Sequence, residues 1–125
     1  MTARLHVHLD AVGGAAGDMF VAALLDARPD LEPRVLADVA AVLPPHAGRP
    51  VLSKGLSGGI AARRFGLVAQ VNAHAAHVHP HDHGVHYADL VRRIESARLH
   101  EGTAREALAI LRRLAETEGR LHGVP

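Results

Sequence analysis

The sequence contains no cysteine and few aromatic residues, and both absences narrow its possible chemistry. Without cysteine among its 125 residues, the chain has no disulfide, no thiolate metal site and no cysteine nucleophile. Phe20, Phe65 and Tyr87 are its only aromatic residues, too few for a surface that stacks the bases of single-stranded nucleic acid. Fourteen basic and 13 acidic side chains give a formal charge of +1. Nucleic-acid binders usually show a clear basic excess, so we expect no nucleic-acid partner.

Long apolar runs are also missing. The apolar stretches are short and interrupted by charged residues, so the sequence predicts no membrane-spanning segment and no membrane partner. The first ten residues, MTARLHVHLD, lack the apolar stretch of a signal peptide, which favours a cytoplasmic protein. A length of 125 residues is typical of one domain, and we expect a single domain over residues 1–125.

The spacing of the apolar residues predicts an α+β fold. Alternating apolar residues predict a strand over residues 4–10, and two extended segments around a glycine-rich connection predict an antiparallel pair, with its second strand over residues 63–71. Apolar residues at helical spacing predict four helices, over residues 19–27, 31–43, 87–97 and 103–121, the last with a capping box of Thr103 and Glu106. The expected fold class is therefore α+β, a small layered domain with about three strands and four helices.

A glycine-rich turn at residues 13–18 joins the first predicted strand to the first predicted helix. It is not a phosphate loop, because a Walker loop needs a lysine where Asp18 stands, and the dinucleotide fingerprint needs a glycine where Val12 stands. His8 and Asp10 are two residues apart in the strand and point to the same side, so with Asp18 they suit a cation or a polarised substrate group. The alternative is structural, with Asp18 capping the helix.

Histidine is the most over-represented residue type. The chain has 11 histidines, and six of them lie between residues 74 and 86, where Pro80 and Gly84 oppose regular structure. We predict a mobile histidine-rich loop over residues 73–86. Neutral imidazole binds nickel, zinc and copper. The predicted metal ligands are His74, His77, His79, His81, His83 and His86. The alternative is a solvated low-complexity insertion without a role.

A third cluster lies in the predicted hairpin. Lys54, Arg63 and Arg64 stand near three glycines and form a possible anion site. We favour solvated charges here, because adjacent residues on a strand face opposite sides and the two arginines would diverge.

Several segments together resemble a known family. HLDAVGGAAGDMFVAALLDA, residues 8–27, resembles the N-terminal signature of the nickel insertion proteins of the nickel-pincer cofactor pathway, the LarC family. KGLSGGIAARRF at residues 54–65, the histidine-rich segment and ALAILRRLAETEGRLHGVP at residues 107–125 resemble further parts of that family, in the same order. The resemblance therefore covers nearly the whole chain.

The resemblance implies an activity and a set of site residues. The family inserts nickel into pyridinium-3,5-bisthiocarboxylic acid mononucleotide, the precursor of the pincer cofactor, in a lyase-class reaction that consumes CTP and needs a divalent cation. Nickel and this precursor are the implied partners. The residues that match the family motif are His8, Asp10 and Asp18, expected to be catalytic, Gly14 and Gly17, expected to contact the cofactor precursor, and Met19.

The resemblance also implies a longer protein. Family members carry their nucleotide-handling region in a C-terminal domain, so we expect this chain to supply the N-terminal, nickel-binding and substrate-facing part, with a separately encoded C-terminal part as a possible partner. Two alternatives remain open. One is a non-catalytic, histidine-rich module that stores or delivers nickel or zinc, and the other is an interaction domain with an incidental histidine tract.

Overall fold

The computed structural model describes residues 6–10, 12, 14–69 and 86–123. Within these ranges it contains four α-helices, one two-stranded antiparallel sheet and two short 3-10 helices. In chain order, the main elements are α1 (Gly17–Ala27), α2 (Glu32–Val42), β1 (Arg49–Ser57), β2 (Ile60–Val68), α3 (Tyr87–Ser96) and α4 (Thr103–His122). The predicted α+β class and its four helices are confirmed.

The two strands form a tight hairpin. They pair from Arg49 opposite Val68 to Ser57 opposite Ile60. Gly58 and Gly59 connect them, and their φ angles of 56° and 81° are both positive, as a two-residue type I′ turn requires. The second strand begins three residues earlier than predicted, because only these two glycines form the turn and β1 extends past Gly55.

Helices α1 and α2 cover the hairpin. Helix α1 packs on β2, and α2 packs on β1. The most deeply buried apolar side chains belong to α1: Leu25 is 2% exposed and Ala22 is 4% exposed. Helix α1 begins two residues before the predicted start and ends at Ala27, ahead of Pro29. Helices α3 and α4 pack on each other.

The prediction of a strand over residues 4–10 is wrong at residues 6–10, the part of this segment that the structure describes. Residues 6–10 adopt neither strand nor helix, so the sheet has two strands where three were predicted. Alternating apolar residues give a segment two different faces, but a strand also needs a neighbour that accepts and donates its backbone hydrogen bonds. In the described ranges β1 and β2 pair only with each other.

Asp38 on α2 ties this helix to the beginning of α4. Asp38 is only 9% exposed, and its carboxylate accepts hydrogen bonds from the His100 backbone N–H at 3.1 Å, from His100 Nδ1 at 2.8 Å and from the Thr103 hydroxyl at 3.3 Å. The predicted capping box is therefore wrong: Gly102 is the N-cap without a side-chain cap bond, and the Thr103 hydroxyl donates to Asp38.

These contacts also determine the ionisation of Asp38. Burial raises the pKa of this carboxyl group, but the hydrogen bonds from His100 and Thr103 together outweigh it and hold the pKa below its ordinary value. Asp38 is therefore a charged acceptor that connects two parts of the fold.

No helix in the described ranges combines the length and the apolar character that crossing a membrane requires.

Candidate functional site

A cleft of about 490 Å³ opens between α1 and β2. Helix α1 contributes one of its faces to the cleft, because its lining residues recur three or four positions apart. The hairpin contributes the facing wall. The lining residues are Asp18, Met19, Ala22, Ala23 and Asp26 from α1, and Ser57, Ala62, Arg63, Arg64 and Phe65 from the hairpin.

Asp18 is the predicted site residue that the structure places in this cleft. It is the second residue of α1, where a negative charge interacts favourably with the helix dipole. The N-cap is Ala16, and no side chain makes a cap hydrogen bond. The alternative role of Asp18 as a helix cap is therefore wrong, and its exposed carboxylate faces solvent and the cleft.

The glycines of the signature turn have separate structural positions. Gly14 has a φ of 93°, a conformation that favours glycine, so the turn before α1 depends on it. Gly17 is the first residue of α1. His8 and Asp10 lie exposed in the segment ahead of the turn and do not line the cleft, so the structure does not bring them together with Asp18 there.

Arg63 joins the wall of the cleft to both neighbouring helices. Its side chain is only 17% exposed, and its Nη2 lies 2.7 Å from a Glu32 carboxylate oxygen while its Nη1 lies 4.0 Å from Asp26. Its Nε is buried and has no hydrogen-bond partner among the described residues. The expectation of a solvated charge is therefore wrong at Arg63, which instead fixes β2 against α1 and the start of α2.

Arg64 lines the same cleft, but unlike Arg63 it is exposed to solvent. Its side chain is exposed, and its Nη2 donates a hydrogen bond to the Leu56 carbonyl at 2.8 Å. No carboxylate in the described part of the chain forms an ion pair with it. Lys54 is exposed and does not line the cleft, so solvation describes it correctly.

Five of the six predicted histidine ligands, His74, His77, His79, His81 and His83, lie outside the described residues. His86 is the N-cap residue of α3; it is exposed, and its carbonyl accepts hydrogen bonds from the backbone N–H groups of Asp89 and Leu90. Over the residues with a described position, no three histidine, aspartate or glutamate side chains come together as a metal site.

Among the cleft residues that sequence reasoning did not assign to a site are Asp26, Ser57 and Phe65. Asp26 follows Asp18 by two helical turns on the same face, so helical spacing alone contained the signal that would have found it. Ser57 and Phe65 enter the cleft through the hairpin register, which the sequence does not specify precisely enough to place a single side chain. The complete cleft combines two carboxylates, two guanidinium groups and apolar side chains such as Met19 and Phe65. It suits a ligand that combines charged groups with apolar surface.

Comparisons with known proteins agree on one family. A family profile described as nickel insertion protein matches residues 7–125. A Geobacter metallireducens protein, provisionally named a nickel insertion protein, is 39% identical over 94% of this chain and 28% of its own length. The Akkermansia muciniphila and Geobacillus kaustophilus proteins named pyridinium-3,5-bisthiocarboxylic acid mononucleotide nickel insertion protein are 33% and 29% identical, over 91% and 95% of this chain.

The alignments cover most of this chain but only a small part of each relative. The chain spans 28–29% of the length of the three relatives. No solved structure matches it significantly.

Proposed function

The chain belongs to the nickel insertion protein family, and from this premise we propose that it supplies the nickel-binding and substrate-facing part of a nickel insertion activity. The proposed acceptor is pyridinium-3,5-bisthiocarboxylic acid mononucleotide, the compound in the names of two relatives. One observation carries the proposal: Asp18, a residue of the signature turn, lines a cleft whose other wall holds Arg63 and Arg64.

The chemistry of the proposed acceptor supports its assignment to the cleft. A pyridinium ring is aromatic and positively charged, and thiocarboxylic acid and phosphate groups are negatively charged near neutral pH. The cleft offers Phe65 and Met19 as apolar surface, Asp18 for the cationic ring and Arg64 for an anionic group. This pairing of charge and apolar surface on both partners is the physical reason for placing the acceptor there.

Nickel is the second substrate, and we assign its holding to the histidine-rich segment over residues 74–86. Neutral imidazole is a suitable ligand for nickel, and several imidazoles in a short segment can share one ion. In this proposal CTP and a divalent cation bind in the part of the family protein that this chain does not span.

The function is tested with Asp18→Asn. The assay combines this chain with a protein that supplies the remaining length of a family member, and measures nickel transferred to the mononucleotide. We expect Asp18→Asn to abolish transfer because it removes the charge. The melting temperature should fall only slightly, since Asp18 makes no cap hydrogen bond and the variant loses only the interaction of its charge with the helix dipole. Asp30→Asn, an exposed substitution outside the cleft, is the control and should retain full transfer. Full transfer by Asp18→Asn would contradict the proposal.

The nickel assignment has its own test. Replacing His77, His79, His81 and His83 together with alanine should remove most of the nickel bound per chain, as measured by calorimetry. Only neutral imidazole ligates, so bound nickel should also fall between about pH 7.5 and about pH 5.5, around the ordinary imidazole pKa of ~6.5. Unchanged nickel stoichiometry in the fourfold variant would refute this assignment. Nickel binding that persists without any transfer would favour a storage or delivery module instead.

A further inference from the structure

The two arginines of the cleft differ in whether their positive charge is paired with a carboxylate of the protein. Arg63 faces Glu32 and Asp26 and is largely buried between them. Arg64 is exposed, and its described contact is with an uncharged acceptor, the carbonyl of Leu56. A guanidinium group has five N–H donors, and this contact uses one of them. Arg64 therefore retains the donors and the charge that an anion would need.

The guanidinium of Arg64 is also held in place. Its side chain extends past Gly55, where a Cβ atom would lie 3.8 Å from Nε, and reaches Leu56 on the opposite strand. Ser57, the next residue after Leu56, also lines the cleft, and its hydroxyl group is able to donate a hydrogen bond. A guanidinium that is already oriented loses less conformational entropy when a ligand binds, so it binds an anion more tightly than a freely moving one.

We infer that Arg64 and Ser57 form an anion subsite of the cleft, which binds the phosphate or a carboxylate-type group of a pyridinium mononucleotide. This inference rests on the proposed function, because it assumes that the cleft faces the mononucleotide. Phosphate and carboxylate share the paired oxygens that match a guanidinium fork. Arg63 is the structural arginine that keeps the wall in position, and Arg64 is the arginine that contacts the ligand.

The experiment measures by calorimetry, without nickel, how tightly three small pyridine nucleotides and nucleosides bind to the 125-residue chain. Nicotinic acid mononucleotide carries both a phosphate and a carboxylate, nicotinamide mononucleotide carries only the phosphate, and nicotinic acid riboside carries only the carboxylate. We expect Arg64→Gln to weaken nicotinic acid mononucleotide about tenfold, the usual loss for one charged contact. Ser57→Ala should weaken it about threefold. The single-anion probe that loses affinity in Arg64→Gln identifies the group bound there.

The matched control is Lys54→Gln, which removes one positive charge from the same hairpin outside the cleft. It should change the affinity less than twofold, so a general loss of positive charge is distinguished from loss of the subsite. Circular dichroism melts should show both glutamine variants folded, since both side chains are exposed.

Two outcomes overturn the inference: equal affinity of Arg64→Gln and the unmodified chain for nicotinic acid mononucleotide, or no binding of any probe to the unmodified chain. Either result would leave the proposed function standing if the nickel transfer assay still depends on Asp18. Binding that depends on Arg64, without nickel transfer in any combination, would refute the function and keep the subsite.

Discussion

Removal of the Asp38 carboxylate should destabilise the fold more than removal of any exposed carboxylate. Asp38 accepts three hydrogen bonds from a segment more than 60 residues away in sequence, two from His100 and one from Thr103. In Asp38→Ala these donors lose their acceptor, and the connection between α2 and the start of α4 loses its polar contacts. The backbone N–H of His100 is partly buried, so water replaces the acceptor incompletely.

The magnitude follows from the three contacts. Each hydrogen bond contributes about 0.5–1.5 kcal/mol net, and the longest, from Thr103 at 3.3 Å, contributes least. The free energy of unfolding should therefore fall by about 2–3 kcal/mol, equivalent to roughly 10 °C in melting temperature for a chain of this size. Asp38→Asn keeps one carbonyl acceptor and loses the charge, and should cost about half as much.

Urea denaturation followed by circular dichroism measures these differences. Asp30→Ala is the matched control: Asp30 pairs with Arg28 at 2.7 Å, but both side chains are exposed. Exposed ion pairs contribute little to stability, so this control should change the midpoint little. The reasoning is refuted if Asp38→Ala costs no more than Asp30→Ala, since the three contacts would then carry no net stability.

Two further predictions follow from the same structure. The pKa of Asp38 lies below its ordinary value of about 3.9, so its stabilisation is fully present above about pH 4 and is lost as the pH falls through the folded-state pKa. The difference in free energy of unfolding between the unmodified chain and Asp38→Asn should therefore become smaller from pH 6 towards pH 3, as measured by urea titrations. A difference that stays constant over this range would contradict the prediction. Gly48→Ala should cost at least about 2 kcal/mol, because Gly48 has a φ of 91° and a Cβ there would lie 2.5 Å from the Val68 carbonyl oxygen. Gly66→Ala, with open space around it, is the control, and equal costs for the two would count against this account.

The helices and the hairpin were predictable because their signals are local. Apolar residues at helical spacing placed all four helices within about two residues of their observed ends, and Pro29 marked the end of α1. The glycine-rich connection placed the hairpin, although Gly55 belongs to β1 and the second strand began earlier than predicted. The first strand failed for a physical reason: alternation describes the faces of a segment and contains no information about a pairing neighbour. The single domain over residues 1–125 stays a prediction.

The candidate site was predictable only where its residues share one element. Asp18 belongs to the signature turn, and the same helix face carries Met19 and Asp26 into the cleft. The opposite wall depends on how the hairpin meets that helix, which no local pattern specifies. The Asp38 contacts were equally out of reach, since Thr103 and Glu106 have the spacing of a capping box whether or not Asp38 lies nearby.

The arginine pair shows why strand alternation alone misjudged the hairpin. Alternation correctly gives Arg63 and Arg64 different environments, one largely buried and one exposed. It gives the direction of the Cβ atom, however, and an arginine guanidinium lies several bonds further out. Arg64 leaves the exposed side of β2, reaches across the hairpin to Leu56 and still lines the cleft that Arg63 faces. Two adjacent long side chains can therefore serve one site, with one held by protein carboxylates and the other available to a ligand.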